Sequence, residues 1–362
     1  MERQDELFFA FLRFSIGAGD IPGDMASADW SYMYDMACRQ AMTGILFSGV
    51  ERLPKSLRPE YALLMRWYAE CRRIEKAGER ADKTAAAVSR WFALHGRRSC
   101  ILKGQGNALM YPEPHRRTSG DVDIWVEGKP EDIIRMVRDI DPKAEIIYHH
   151  IEFPDYKGTP VEVHYRPRFL HHIVHNRRMQ RWFADRADRQ FVNSISMGGG
   201  TVCVPTDDMN IVVQTVHVYE HLLQDGIGLR QLTDYYFLLR RVHENGTDTA
   251  GMGDELRRMG LYGIASALMY VMKYVYAMPE ELFIVPADRR RGQVVITEML
   301  AGGNFGQYDG RGRFKNTFVG HNVLRLWRDM RLALYFPGEC LSEPLFRLWH
   351  FGWRMYMSRK FH

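Results

Sequence analysis

The apolar positions of this chain change their period twice. Between Tyr61 and Gly96 they recur every three or four residues, at Leu64, Trp67, Cys71, Ile74, Ala81, Ala85, Val88 and Trp91. That spacing predicts one long amphipathic helix ended by Gly96. The residues before it, beginning with the amphipathic "MERQDELFFAFLRF", predict further helices. From residue 97 the pattern shortens to that of strands. "SCILKG" predicts a short buried strand, "GQGNALMY" a glycine-led turn into a short helix, "YPEPHRRTSG" a loop and "DVDIWV" a second strand. "KPEDIIRMVRDI", with Pro130 near its start and acids in its first turn, predicts a helix. "AEIIYHHIEFPDY" and "TPVEVHYRP" predict strands joined by a turn at Lys157-Gly158, and "SISMGGGTVCVP" a hairpin around its glycines. Helical spacing returns at "PTDDMNIVVQTVHVYEHLLQ", with Thr206 as the expected N-cap. It continues through "LRQLTDYYFLLRRV", "LYGIASALMYVMKYVY" and a Trp-rich C-terminal segment, with a Gly-rich loop at 301–314. These changes divide the chain into an N-terminal helical region (1–96), a mixed α/β core (97–204) and a C-terminal helical domain (205–362).

Composition narrows the picture slightly. A chain of 362 residues with 46% hydrophobic residues can bury the core of two or three domains. A net charge of +5 accommodates anionic ligands without demanding nucleic acid. Basic runs such as "CRRIEK" and "HGRRS" lack the organised aromatic interleaving of a single-strand groove and fit solvated helix faces. No apolar run reaches the roughly 18 residues of a membrane span. Five scattered cysteines without a C-x-x-C pair point to a reducing, cytoplasmic compartment.

The chemistry starts at Asp121 and Asp123. Strand alternation puts both carboxylates on one face and sends Val122, Ile124 and Val126 to the other. Two like charges side by side cost energy unless a cation lies between them, and Mg²⁺, with Mn²⁺ as the alternative, meets that need. Glu162 is the expected third carboxylate, on a strand face shared with His164 in a supporting role. Lys103 and Gly104 form a turn at a strand-to-helix junction, where exposed N–H groups cradle phosphates. Arg117 fits either a phosphate contact or an ion pair locking its loop to the two aspartates. "HVYEH" spells the inverted zinc-peptidase motif, but no third ligand follows in a matching context. His217 and His221 are expected instead to pack the helical domain against the α/β core, at a nucleotide cleft. "GGNFG" (302–306) fits a phosphate-binding loop or a plain helix connection, and "GGG" (198–200) a turn.

The order of strand, glycine turn, short helix, D-x-D strand and later acid resembles the DNA polymerase β-like nucleotidyltransferase superfamily. More narrowly, Leu102-Lys103-Gly104, Tyr111-Pro112, Arg117, Asp121, Asp123, Glu162 and His164 resemble the signature of a family of largely uncharacterised bacterial nucleotidyltransferases. His217, His221, Arg230 and Asp234 on later helices also look similar. The signature core covers about 65 residues, and the general similarity most of the chain. The resemblance implies an α+β fold: a polymerase β-like mixed-sheet core flanked by helical regions. It also implies transfer of an NMP from an NTP, with ATP the first guess, to an unknown hydroxyl-bearing acceptor (a small molecule, sugar or protein). The Lys-Gly-Gln turn departs from the superfamily's Gly-Gly or Gly-Ser. The alternative is a non-catalytic nucleotide- or protein-binding module on the same fold. A D-x-D glycosyltransferase is disfavoured because the residues before the motif are helical.

Overall fold

The computed structural model describes residues 3–224, 226–308 and 328–361. The first helices are α1 (Arg3–Ser15), α2 (Trp30–Arg39) and α3 (Thr43–Arg52), followed by the long α4 (Tyr61–Leu94). The α4 stripe lies where its spacing predicts, and Gly96, at φ +71°, breaks the chain out of the helix just past its end. The helix serves two cores. Trp67 and Cys71 pack with the other helices, whereas Ala85, Val88 and Phe92 lie under a sheet.

That sheet contains β1 (Ser99–Ile101), β2 (Val122–Val126), β3 (His150–Tyr156) and β4 (Thr159–His164) in the order β1-β2-β4-β3. β2 and β4 run parallel, and the two outer pairings are antiparallel. Between β1 and β2 runs the one-turn α5 (Gln105–Ala108), and after β2 runs α6 (Pro130–Arg138). Val122, Ile124, Val126, Val161, Val163 and Ile151 face the second half of α4 and α6 in one apolar cluster. Alternation therefore turns Asp123, Glu162 and His164 to the other side.

Two features differ from the sequence expectation. β3 begins only at His150, because residues before it make a single bridge, Ile146 to Ile151. An 18-residue helix, α7 (Ile173–Gln190), interrupts the core segment; its apolar residues are sparse among many arginines, so its period is faint. The "SISMGGGTVCVP" segment forms the expected hairpin, β5 (Ser194–Met197) with β6 (Gly200–Cys203), as a two-stranded ribbon of its own. Gly198, at φ +59°, has no room for a side chain there, since a Cβ would lie 2.3 Å from the Asp82 carbonyl oxygen.

Further helices among the described residues include α8 (Asp207–Leu223), α9 (Leu229–Glu244), α10 (Met252–Arg258), α11 (Tyr262–Tyr276), α12 (Arg289–Gly302) and α13 (Pro337–Lys360). Thr206 occupies the N-cap position of α8, but its hydroxyl is spent on Gln190 and Asp208 and caps no helix N–H. α1, α3, α8, α9 and α11 share one hydrophobic cluster, so helices from both ends of the chain form a common core. No described helix is long and apolar enough to cross a membrane.

Candidate functional site

The parallel register of β2 and β4 sets Asp123 directly beside Glu162 and Trp125 beside His164. The antiparallel register of β3 adds His150 beside His164. One sheet face thus carries two carboxylates and two imidazoles side by side. Asp123 is almost wholly buried, at 1% exposure. Its Oδ1 lies 2.9 Å from His164 Nε2, and Glu162 Oε2 lies 3.3 Å from the same nitrogen. Carboxylates only accept, so that nitrogen carries the proton.

Lys103 reaches this face through the backbone. The Leu102 N–H donates to the Asp123 carbonyl, and the chain then turns at Gly104, φ +62°. The Lys103 ammonium comes to 3.1 Å from Asp123 Oδ1 and 3.9 Å from Asp121 Oδ2. The cation between the two aspartates is therefore this ammonium. Burial pushes the Asp123 carboxyl up, but Lys103 and His164 outweigh it and hold its pKa at about 2. Burial likewise opposes ionisation of Glu162, while His164, His150 and Lys103 lower it to about 2. Burial disfavours the His164 imidazolium, yet the two carboxylates raise its pKa above the ordinary histidine value.

Asp123 Oδ2 is buried without a hydrogen-bond partner. Such an atom is costly unless something positive meets it. With two ionised carboxylates 2.9 and 3.3 Å from one nitrogen, His164 Nε2, and Asp121 across Lys103 from Asp123, the oxygen donor set fits a divalent cation. Among the described residues, the three-residue groups with metal-ligating atoms in mutual reach are Asp123–Glu162–His164 and His149–His150–His164. Asp121 stands at the mouth, one-third exposed, and joins the group through Lys103.

Asp121, Glu162, Lys103 and Gly104 line a cavity of about 670 Å³, a volume in the range of small-ligand sites. Arg117 lines it too, but its guanidinium is committed elsewhere. Nε and Nη2 donate to the two oxygens of Asp234 at 2.7 and 2.6 Å. Its ion-pair partner is thus Asp234 on α9, not the Asp121/Asp123 pair, because the loop before β2 packs on the helical core. Arg230, one turn earlier on α9, lines the same cavity. Its Nη1 donates only to the Thr118 carbonyl at 3.3 Å, its Nε has no partner, and it makes no ion pair among the described residues. Burial, then the nearby Arg117, lowers its pKa to about 10, so it remains charged at neutral pH.

His217 and His221 of α8 line the cavity at the junction with the α/β core, their rings 4.5 Å apart. Glu220 between them accepts from Arg168 Nη1 at 3.1 Å. The 302–306 segment packs on Gly226 and Gly228 and sets Phe305 against His221 and Arg230 in the cavity wall; residues 309–314 of the Gly-rich stretch lie outside the described residues. α13 contributes Phe346, Arg347, His350 and Arg354. These contributors, with Arg168, His149 and His150, have no local motif in the sequence. The adjacent His149-His150 at a strand start was the one available signal.

α13 is anchored by Glu339, which accepts the backbone N–H groups of His171 and His172 at 2.6 and 3.2 Å. Burial raises its pKa to about 7 despite those bonds. The folded value lies above the unfolded 4.5. Its stabilising contribution is therefore complete below pH 4.5 and is lost as pH rises through 7. We expect about 3 kcal/mol less stability above this window, and a flatter profile in Glu339→Gln, read from urea midpoints on either side of it. Equal pH dependence in both proteins would exclude Glu339 as the source.

A family model described as "Uncharacterised nucleotidyltransferase" matches residues 26–277, more than half of the chain. The match runs from just before α2 to the end of α11 and leaves α1, α12 and α13 outside. No curated protein and no solved structure matches.

Proposed function

Since the chain belongs to this family of nucleotidyltransferases, we propose that it transfers an NMP from an NTP, ATP in the first instance, to a hydroxyl-bearing acceptor, using Mg²⁺ held by Asp121, Asp123 and Glu162. The observation that supports this most is the meeting of two ionised carboxylates, Asp123 and Glu162, at one His164 nitrogen, with Asp123 Oδ2 buried and unpartnered and Glu162 lining the cavity. Bound Mg²⁺, or Mn²⁺, would supply charge neutralisation at the transferring phosphoryl group.

The chain's own residues supply the rest. The Gly104 turn and Arg230 bind phosphate oxygens, Arg230 through donors left unspent in the fold. The acceptor oxygen forms a bond to the α-phosphorus as the bond to the β-phosphate oxygen breaks, the hydroxyl proton passes to water, and pyrophosphate leaves. Glu162, held at about 2, is ionised at any working pH. It therefore serves to hold and orient rather than to take the proton, a task that favours a group titrating near neutrality. Arg117 acts indirectly, by fixing the loop that presents Asp121. His164 holds Asp123 and Glu162 in one orientation. We read the small mixed sheet as a polymerase β-like core, and five free cysteines accord with a reducing cytoplasm.

The test is calorimetric titration of the four NTPs, with and without Mg²⁺, into the wild type and an Asp121→Ala/Asp123→Ala variant. Mg²⁺-dependent binding that the variant loses is the expected result, followed by labelled transfer and pyrophosphate release. In the same assay Arg230→Met should weaken NTP binding about tenfold or more through loss of a charge-assisted contact. An unchanged affinity would remove Arg230 from the phosphate site. One observation favours a second reading: Lys103 already balances the aspartates, as a non-catalytic nucleotide- or protein-binding module would require. Binding without pyrophosphate release, or no NTP binding by folded wild type, would favour that module.

A further inference from the structure

Beside the carboxylates the cavity wall turns from oxygen to nitrogen. His149 Nε2 lies 3.0 Å from His150 Nδ1, His150 Nδ1 lies 3.6 Å from Glu162 Oε2, and Glu162 Oε2 lies 3.3 Å from His164 Nε2. One nitrogen from each of the three rings falls within 4.8 Å of the other two. All three rings are at least nine-tenths buried, with exposures of 9%, 6% and 0%. His149 and His150 nevertheless line the cavity, which gives an ion a path of entry.

The hydrogen bonding of this cluster does not close on itself. Whichever ring donates across the 3.0 Å contact, His149 Nδ1 remains buried and unpartnered, as does His164 Nδ1. The separations suit an ion. Ligand atoms on a tetrahedral centre with bonds of about 2.05 Å stand about 3.3 Å apart; His149 Nε2 and His150 Nδ1 lie 3.0 Å apart, and a His164 nitrogen falls within 4.8 Å of a nitrogen on each of those rings. Imidazole nitrogen is a poor ligand for Mg²⁺ and a good one for Zn²⁺ and neighbouring transition ions.

We propose that His149, His150 and His164 form a second metal position for a borderline transition ion such as Zn²⁺, adjoining the oxygen-rich position. It does not depend on the nucleotidyl-transfer reading, whose metal ligands are the carboxylates. His164 Nε2 is spent on Asp123 at 2.9 Å, so this ring would ligate through its unpartnered Nδ1, with Asp123 orienting it from outside the ligand set. A cavity wall carrying such an ion can also recognise an anionic group of a substrate.

The test uses the metal-free full chain titrated with Co²⁺, and then Zn²⁺, without nucleotide. We expect about one Co²⁺ per chain, with the intense visible bands of a low-coordinate, nitrogen-ligated ion. Zn²⁺ should abolish these bands, and a large excess of Mg²⁺ should leave them. His149→Gln and His150→Gln, checked for folding by circular dichroism, should each weaken Co²⁺ binding at least tenfold, whereas Asp121→Ala should retain the bands. Absence of bands in folded wild type, displacement by Mg²⁺, or bands indifferent to both histidine substitutions would overturn the assignment. None of these outcomes involves NTP, so the nucleotide-binding experiment stands or falls separately.

Discussion

Replacing Asp123 with Asn is expected to reduce nucleotidyl transfer by a factor of roughly 10²–10³ or more, the scale seen when one preorganised electrostatic group is removed. Mg²⁺-dependent NTP binding should weaken in parallel. Asp123 is buried at the point where Lys103, His164 and Glu162 meet, and no other described carboxylate lies within 3.1 Å of the Lys103 ammonium. The substitution keeps the shape and removes the charge. The Asn carbonyl oxygen can still accept from His164 Nε2 and Lys103 Nζ, which both address Oδ1, so the amide N–H₂ replaces the unpartnered Oδ2 and offers a cation donors in place of an acceptor. Glu162→Gln tests the other side of the same cluster. Transfer and metal-dependent binding near wild-type levels in Asp123→Asn, with the fold intact, would remove the carboxylate face from the mechanism.

The largest expected effect on stability lies behind the site. Asp234→Ala should cost about 3–5 kcal/mol, because it strands a buried guanidinium. Arg117 and Asp234 are both buried, joined by two bonds of 2.7 and 2.6 Å, and the Tyr111 hydroxyl adds a third at 2.7 Å. Burial disfavours the Arg117 charge, but Asp234 more than compensates and raises its pKa. Such a loss is a large share of the roughly 5–15 kcal/mol of a typical domain, and urea unfolding reads it as a lowered midpoint at constant slope. The apolar double variant Arg117→Met/Asp234→Leu should recover much of the loss, since it removes both charges together. A single variant within about 1 kcal/mol of wild type would show that water or a neighbour rescues the stranded arginine.

Much of this was legible in the residues themselves. The period of three to four over 61–94 specified α4, because a helix that long must bury a continuous stripe. The alternation in "DVDIWV" and "PVEVH" specified two strands with chemistry on one face and a core on the other, which the parallel register sustains by pairing Asp123 with Glu162. Lys103 and Gly104 lay close enough in sequence to β1 for their placement at the turn to follow from local chemistry. α7 was hidden because its arginine-rich surface face dilutes the apolar period.

What the sequence by itself determined is therefore the set of ionisable groups on each element and the face that presents them, since both follow from backbone periodicity. Only the tertiary structure decided which charge meets which. Arg117 is bound to a residue 117 positions away rather than to its neighbours Asp121 and Asp123. Arg230 keeps its donors unspent, and His149, His150 and His164 converge across two strands. α13, roughly 200 positions beyond β3, pairs its His350 with the Tyr148 N–H at the cavity. The physical reason is range: periodicity acts over one or two turns of chain, whereas a charge pairs with whatever the packing of remote helices brings within about 4 Å.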